Sequence, residues 1–269
     1  MKSSLCFKNE IFKYLLCAFA LTWLVWGILL ASVKGVINSN IYQHHMIQVI
    51  IIGGSIPSIL AILYVWILNG KTGLKHLLQK LLIWKINPLW YVFSICYMYA
   101  IYYVPAVICN LFGNYFDFQL RYSPVYLLYL FAGQLFAGPI NEEFGWRGFV
   151  LPRLQCSLNP LAASILLGII HALWHLPLFF IYIQEPFGQY LIKVICISII
   201  YTWMYNHTKG SLIPVCLLHA NYNFLSVVFI MTTIRPATMY LVLSNGISLL
   251  PIIFISWYML RYRDKKVVV

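Results

Sequence analysis

The chain has 269 residues, of which 62% are hydrophobic and only 9% charged, and its net charge is +12. That balance excludes an ordinary soluble domain, where about a quarter of the residues are charged. The basic excess carries no interleaved aromatic residues and no nucleic-acid motif, so it does not mark a DNA or RNA binder.

The apolar residues fall in blocks long enough for a helix to cross about 30 Å of hydrocarbon. They are apolar all round rather than striped, so no face is expected to be wet. The reading is an all-α, polytopic transmembrane helical bundle of about eight spans. In chain order the spans are roughly 11–33, 46–68, 89–112, 124–142, 161–183, 190–206, 210–232 and 238–260. Lys2 and Lys8 precede the first, which is too long for the apolar region of a signal peptide and lacks a small-x-small cleavage site. It is expected to be a retained helix. Pro105, Pro139, Pro177 and Pro214 are expected kinks. Between the second and third spans, Lys71–Lys85 reads as an amphipathic helix lying in the interface, with leucines at helical spacing and lysines between them. No repeat, linker or low-complexity stretch divides residues 1–269, so one transmembrane domain is expected.

Loop charge sets the orientation. An even number of spans puts both termini on one side, together with the loops holding Lys71 to Lys85, Arg147, Arg153 and Lys209. That side collects 14 of the 18 lysines and arginines, and only Lys34, Arg121, Lys193 and Arg235 fall on the other. Both termini are therefore expected to be cytoplasmic, in a plasma-membrane protein whose surroundings are lipid. The seven cysteines are scattered without a CxxC pair and fit neither a disulfide framework nor a cysteine zinc site.

The chemistry is concentrated in a few polar residues. Of the six acids, Glu10, Asp117, Glu185 and Asp264 are in tails or loops, whereas Glu142 and Glu143 are adjacent at the end of an apolar block. A carboxylate at membrane depth must pair, line a cavity or neutralise, and two neighbours repel. Glu143 and Arg147 are four apart, share a helix face and can pair. Glu142 is turned away from them and is free to act. His171 and His175 lie on one face of the fifth span, and His219 and Asn223 on one face of the seventh. Interhelical hydrogen bonds alone explain a single buried histidine, but a shared cavity explains all of these groups together. A carboxylate with an imidazole can hold and deprotonate a water. A second imidazole with a carboxamide can donate to an oxyanion. The same groups also fit zinc, although the HExxH signature of zincins is absent.

These residues resemble a known family. Glu142-Glu143-Phe144-Gly145-Trp146-Arg147 resembles the EExxxR motif of the CPBP (CAAX protease and bacteriocin-processing, or Abi) family. The stretch ending at His175 resembles its FxxxH motif, and His219 to Asn223 its HxxxN motif. The three motifs come in the family's order, within a core of about residues 124–232. The departure is His171, which stands where FxxxH has phenylalanine. The resemblance implies an intramembrane endopeptidase acting on a membrane-associated peptide or protein. In it Glu142 and His175 would activate water, and His219 and Asn223 would form the oxyanion hole. Glu143 and Arg147 would hold the motif helix, and His171 would pack beside the site. It leaves the cofactor unknown: the sequence itself does not call for a metal, and a bound zinc would be held by Glu142, His175 and His219. The alternatives are a bacteriocin self-immunity or interaction protein that needs no proteolysis, and a transporter, for which the expected internal repeat is lacking.

Overall fold

The computed structural model describes residues 8–38, 40–113, 122–183, 185–232 and 238–261. The loop acids Asp117 and Asp264 and the loop bases Lys2, Arg121, Arg235, Arg263, Lys265 and Lys266 lie outside them. The described residues form helices with no strand. In chain order these are α1 (Lys8–Val33), α2 (Asn40–Gln79), α3 (Leu89–Leu111), α4 (Pro124–Ala137) and α5 (Pro139–Glu143). A π-helical segment follows (Phe144–Val150), then α6 (Leu151–Gln155), α7 (Pro160–Trp174), α8 (Leu176–Phe179), α9 (Phe187–His207), α10 (Ile213–Thr232) and α11 (Thr238–Arg261).

Local chemistry sets the boundaries. Ser123 caps α4 by accepting from the Tyr126 amide at 3.2 Å, and Asn159 caps α7 by accepting from Ala162 at 2.8 Å. Each is followed by a proline at the first turn, where the missing N–H costs nothing. Gly138 and Pro139 break the expected span 124–142 into α4 and α5. The expected span 161–183 likewise breaks at His175, ahead of Pro177.

Those breaks bear on the span count. Five described helices are long and apolar enough to cross a membrane: α1, α2, α3, α9 and α11. α7 is a shorter apolar helix, and α10 is apolar over Ile213–Val228. The 14 residues of α4 reach only about 21 Å at 1.5 Å per residue, short of the hydrocarbon thickness. The expected figure of about eight is thus not reached by length and composition. The helical membrane bundle itself stands, and the chain is a multi-pass membrane protein whose long apolar faces fit lipid.

The expected interfacial helix is present as a stretch set off from the rest of α2 by a kink. It continues α2 past Gly70, whose φ of 61° breaks the helical path, and it ends at Gln79 rather than Lys85. Its Leu77 is buried, while Leu78, Leu82 and Trp84 stay exposed. At its end the Lys80 ammonium donates to the Tyr205 hydroxyl of α9. Burial, and then nearby Arg153, push the Lys80 pKa down to about 8.

α1 packs along α2, α7 along α9, and α3 along α10 and α11. One apolar core runs through them, from Tyr14 in α1 to Met259 in α11. The segment from Phe144 to Gln155 lies at its centre, with every residue buried. Two glycines let α2 approach it. A Cβ on Gly145 would stand 2.7 Å from Pro57 Cβ and 2.6 Å from Tyr14 Oη, and one on Gly148 would stand 2.8 Å from Leu77 Cδ1. The Gly145 amide donates to Ser58 Oγ at 3.3 Å.

Candidate active site

Glu142 and Glu143 close α5 immediately before the π-helical segment. In that segment the Leu151 amide donates to the Trp146 carbonyl, five residues back. Such wide turns recur at functional sites because they re-aim side chains without ending the helix. Consecutive helical residues point about 100° apart, and that single step gives the two glutamates different partners.

Glu143 is wholly buried and faces α10. Its Oε1 accepts from Arg147 Nη1 at 3.0 Å and from His219 Nδ1 at 2.8 Å. Arg147, also wholly buried, donates through Nη2 to Ser198 Oγ at 3.3 Å, and its guanidinium lies 4.8 Å from the centre of the Tyr201 ring. Ser198 in turn donates to the Ser164 carbonyl at 2.9 Å, tying α9 to α7. A carboxylate paired with arginine only accepts, so His219 must carry its hydrogen on Nδ1. In neutral His219 the Nε2 lone pair is then free.

Glu142 faces α7 instead. Its Oε2 stands 3.1 Å from His171 Nε2. The His175 ring lies 4.9 Å from that of His171, and its Nδ1 donates to the His171 carbonyl at 3.1 Å. One donor atom from each of Glu142, His171 and His175 lies within 4.8 Å of the other two. That set, one carboxylate and two imidazoles, suits a divalent ion such as zinc. Trp146 flanks His171 at 5.2 Å between ring centres, and Trp174 flanks His175 at 4.6 Å. Asn223 approaches from α10. The position a Cβ would take on Gly138 is 3.2 Å from Asn223 Nδ2 and 3.5 Å from Glu142 Oε1. A side chain there would fill the space between them.

The structure thus brings Glu142, His171, His175 and Asn223 around one region and places His219 at its edge, its ring 6.4 Å from that of His171. Two details depart from the sequence expectation. The imidazole bonded to Glu142 is that of His171, not His175. The three-donor cluster likewise contains His171 in place of His219. Sequence reasoning also missed Ser164, Ser198 and Tyr201, which hold Arg147. A serine or tyrosine in an apolar span gives no signal that separates such a role from ordinary packing.

This arrangement defines a class: a multi-pass helical membrane protein with a carboxylate–imidazole cluster inside its bundle. Comparison with known proteins narrows it. The sequence model of the type II CAAX prenyl endopeptidase Rce1-like family matches residues 124–225. A curated relative from Methanococcus maripaludis, named CAAX prenyl protease 2, is 34% identical over 118 residues, which cover 40% of this chain and 41% of the relative. The family likeness falls on the motif-bearing segment, and the chain spans less than half the length of that relative.

Proposed function

We propose that the chain is an intramembrane endopeptidase that hydrolyses a peptide bond in a membrane-associated protein or peptide. The observation that carries this reading is the gathering of Glu142, His171 and His175 within 4.8 Å, inside a largely apolar bundle. Polar groups there are costly unless they serve one another or a substrate. Glu142 and His175 hold a water and take its proton as it attacks the carbonyl. Asn223 donates to the developing oxyanion. His219 does so from Nε2 only as the imidazolium, which Glu143 stabilises through Nδ1. Glu143 and Arg147 fix the motif helix without touching substrate. Glu142, His171 and His175 would hold a divalent ion, which when bound acidifies a coordinated water. The setting is the plasma membrane with both termini in the cytoplasm, supported by the lysines and arginines of the termini and of the Lys71–Lys85 stretch, with Arg147 and Arg153 left out because they are buried in the core. The relative's name makes a prenylated protein tail the first substrate to try.

The test is reconstitution of the wild type and Glu142→Gln in liposomes, with matched folding and a broad panel of membrane peptides that includes prenylated tails. Mass spectrometry reads the new termini. Cleavage should fall by about 10²- to 10⁴-fold in the variant, the usual contribution of a general base. Equal cleavage by both would remove Glu142 from the reaction. No cleavage by either would point to an immunity or interaction role.

A further inference from the structure

We propose that Trp23 and Trp26 of α1 are positioning residues for His175, holding its imidazole within reach of Glu142 from a helix outside the family-matched segment. The inference rests on the hydrolytic reading for its purpose, but the contacts that carry it are independent of that reading.

His175 sits where a helix gives out. α7 ends at Trp174, and Pro177, which has no N–H, cannot continue its ladder of hydrogen bonds. The Leu178 amide turns to the His175 carbonyl at 2.9 Å. The Trp174 carbonyl therefore lacks the amide four residues on that an unbroken helix supplies. α1 provides the donor instead: Trp23 Nε1 donates to the Trp174 carbonyl at 2.9 Å. A backbone carbonyl buried in an apolar bundle needs such a partner. The peptide that leads into His175 is thus held at both ends, its carbonyl by Trp23 and its N–H by the Ala172 carbonyl at 3.2 Å.

Trp26 acts on the side chain. It lies three residues after Trp23, on the same side of α1, and is 1% exposed. Its ring centre stands 4.7 Å from that of Trp174 and 5.9 Å from that of His175. α2 fixes the indole in turn. Trp26 Nε1 donates to the Ile50 carbonyl at 3.2 Å, and Thr22 Oγ1 donates to the Gly53 carbonyl at 3.1 Å. The indole fits only against a glycine, since a Cβ on Gly53 would stand 2.2 Å from Trp26 Nε1. The His171 ring, tilted 30°, and the Trp26 ring, tilted 31°, are near-parallel to the His175 imidazole, while Trp174 meets it edge-on at 80°. With Nδ1–H tied to the His171 carbonyl, these rings leave the imidazole one orientation and Nε2 as its basic nitrogen. A general base set in place before substrate arrives spends nothing on orientation during the reaction.

The test uses the full chain in nanodiscs, with its histidines labelled with nitrogen-15. The His175 signals are assigned by their loss in His175→Asn. At about pH 8, above the ordinary imidazole pKa of about 6.5, the wild type should show one tautomer, protonated on Nδ1. Trp23→Phe keeps an aromatic ring and removes the N–H. Trp26→Leu removes the ring beside His175, and Gly53→Ala drives a methyl into the Trp26 indole from α2. Each should move the His175 signals toward a mixture of tautomers. Each should also lower kcat by about 10- to 100-fold on any peptide the wild type cuts, with KM little changed, the pattern of lost orientation rather than lost binding. Trp90→Phe, which trims an aromatic cluster with Phe93, Trp203 and His207, is the control for general loosening and should leave the His175 signals and kcat unchanged. Unmoved signals in Trp23→Phe and Gly53→Ala, moved signals with kcat unchanged, or the same changes in Trp90→Phe would overturn the proposal. If Trp26→Leu fails to fold, the other two variants decide. Failure of the two readings is distinguishable. Glu142-dependent cleavage with unmoved His175 signals ends the positioning role and leaves the hydrolase. Moved signals with no cleavage by the wild type support the positioning and remove its hydrolytic purpose.

Discussion

Two neighbouring stretches inside the family-matched segment differ completely in their surroundings. In α4, Pro124–Ala137, no residue is buried, and Val125, Leu128 and Tyr129 are among the most exposed apolar side chains of the molecule. In Phe144–Gln155, begun seven residues after α4 ends, every residue is buried, including Arg147 and Arg153. Both stretches are helical and both are mostly apolar. Their difference teaches that the charged motif lies where protein, not lipid, is the solvent. An arginine facing hydrocarbon is costly, whereas Arg147 meets Glu143, Ser198 and the Tyr201 ring.

The contrast breaks most sharply at the buried ion pair. Arg147→Ala leaves the Glu143 charge uncompensated and should cost about 3–5 kcal/mol, read as lower thermal unfolding in detergent and poor yield. Adding Glu143→Gln should recover part of that loss, since the stranded charge is then gone. A smaller effect is expected at the close approach of α2. Gly145→Ala drives a methyl to 2.8 Å from the Pro57 carbonyl carbon, which is backbone and cannot rotate away. A cost of about 1–3 kcal/mol is expected by the same melting assay. The smallest lies in α4. Leu128→Ala is expected to change stability by no more than about 0.5 kcal/mol, because its side chain faces outward before and after. A large loss there would mean that α4 is covered by protein rather than lipid.

The same two stretches mark how far the sequence could be read. Both were legible as apolar helix, since composition and block length suffice for that. The Glu143–Arg147 relation was legible because it lies within one helix, where spacing dictates which side chains meet. The motifs placed Glu142, His175, His219 and Asn223 among the residues to watch. The partners across helices were not legible. His171 rather than His175 meets Glu142, and His219 meets Glu143. Those contacts depend on how far α7 and α10 are rotated toward α5, and periodicity within one helix carries no information about its rotation against another. The π-helical turn was hidden for a related reason. It arises where Gly145 and Gly148 let Pro57 and Leu77 press close, and neither neighbour is near in sequence.

By itself, then, the sequence determined the solvent of this protein, its helical class and the short list of groups able to do chemistry, because a bilayer leaves few polar residues without a purpose. The tertiary structure alone decided how those groups are shared out. Two adjacent glutamates, separated by one step of a helix, were sent to two buried clusters: one neutralised by arginine, the other opposed by two imidazoles.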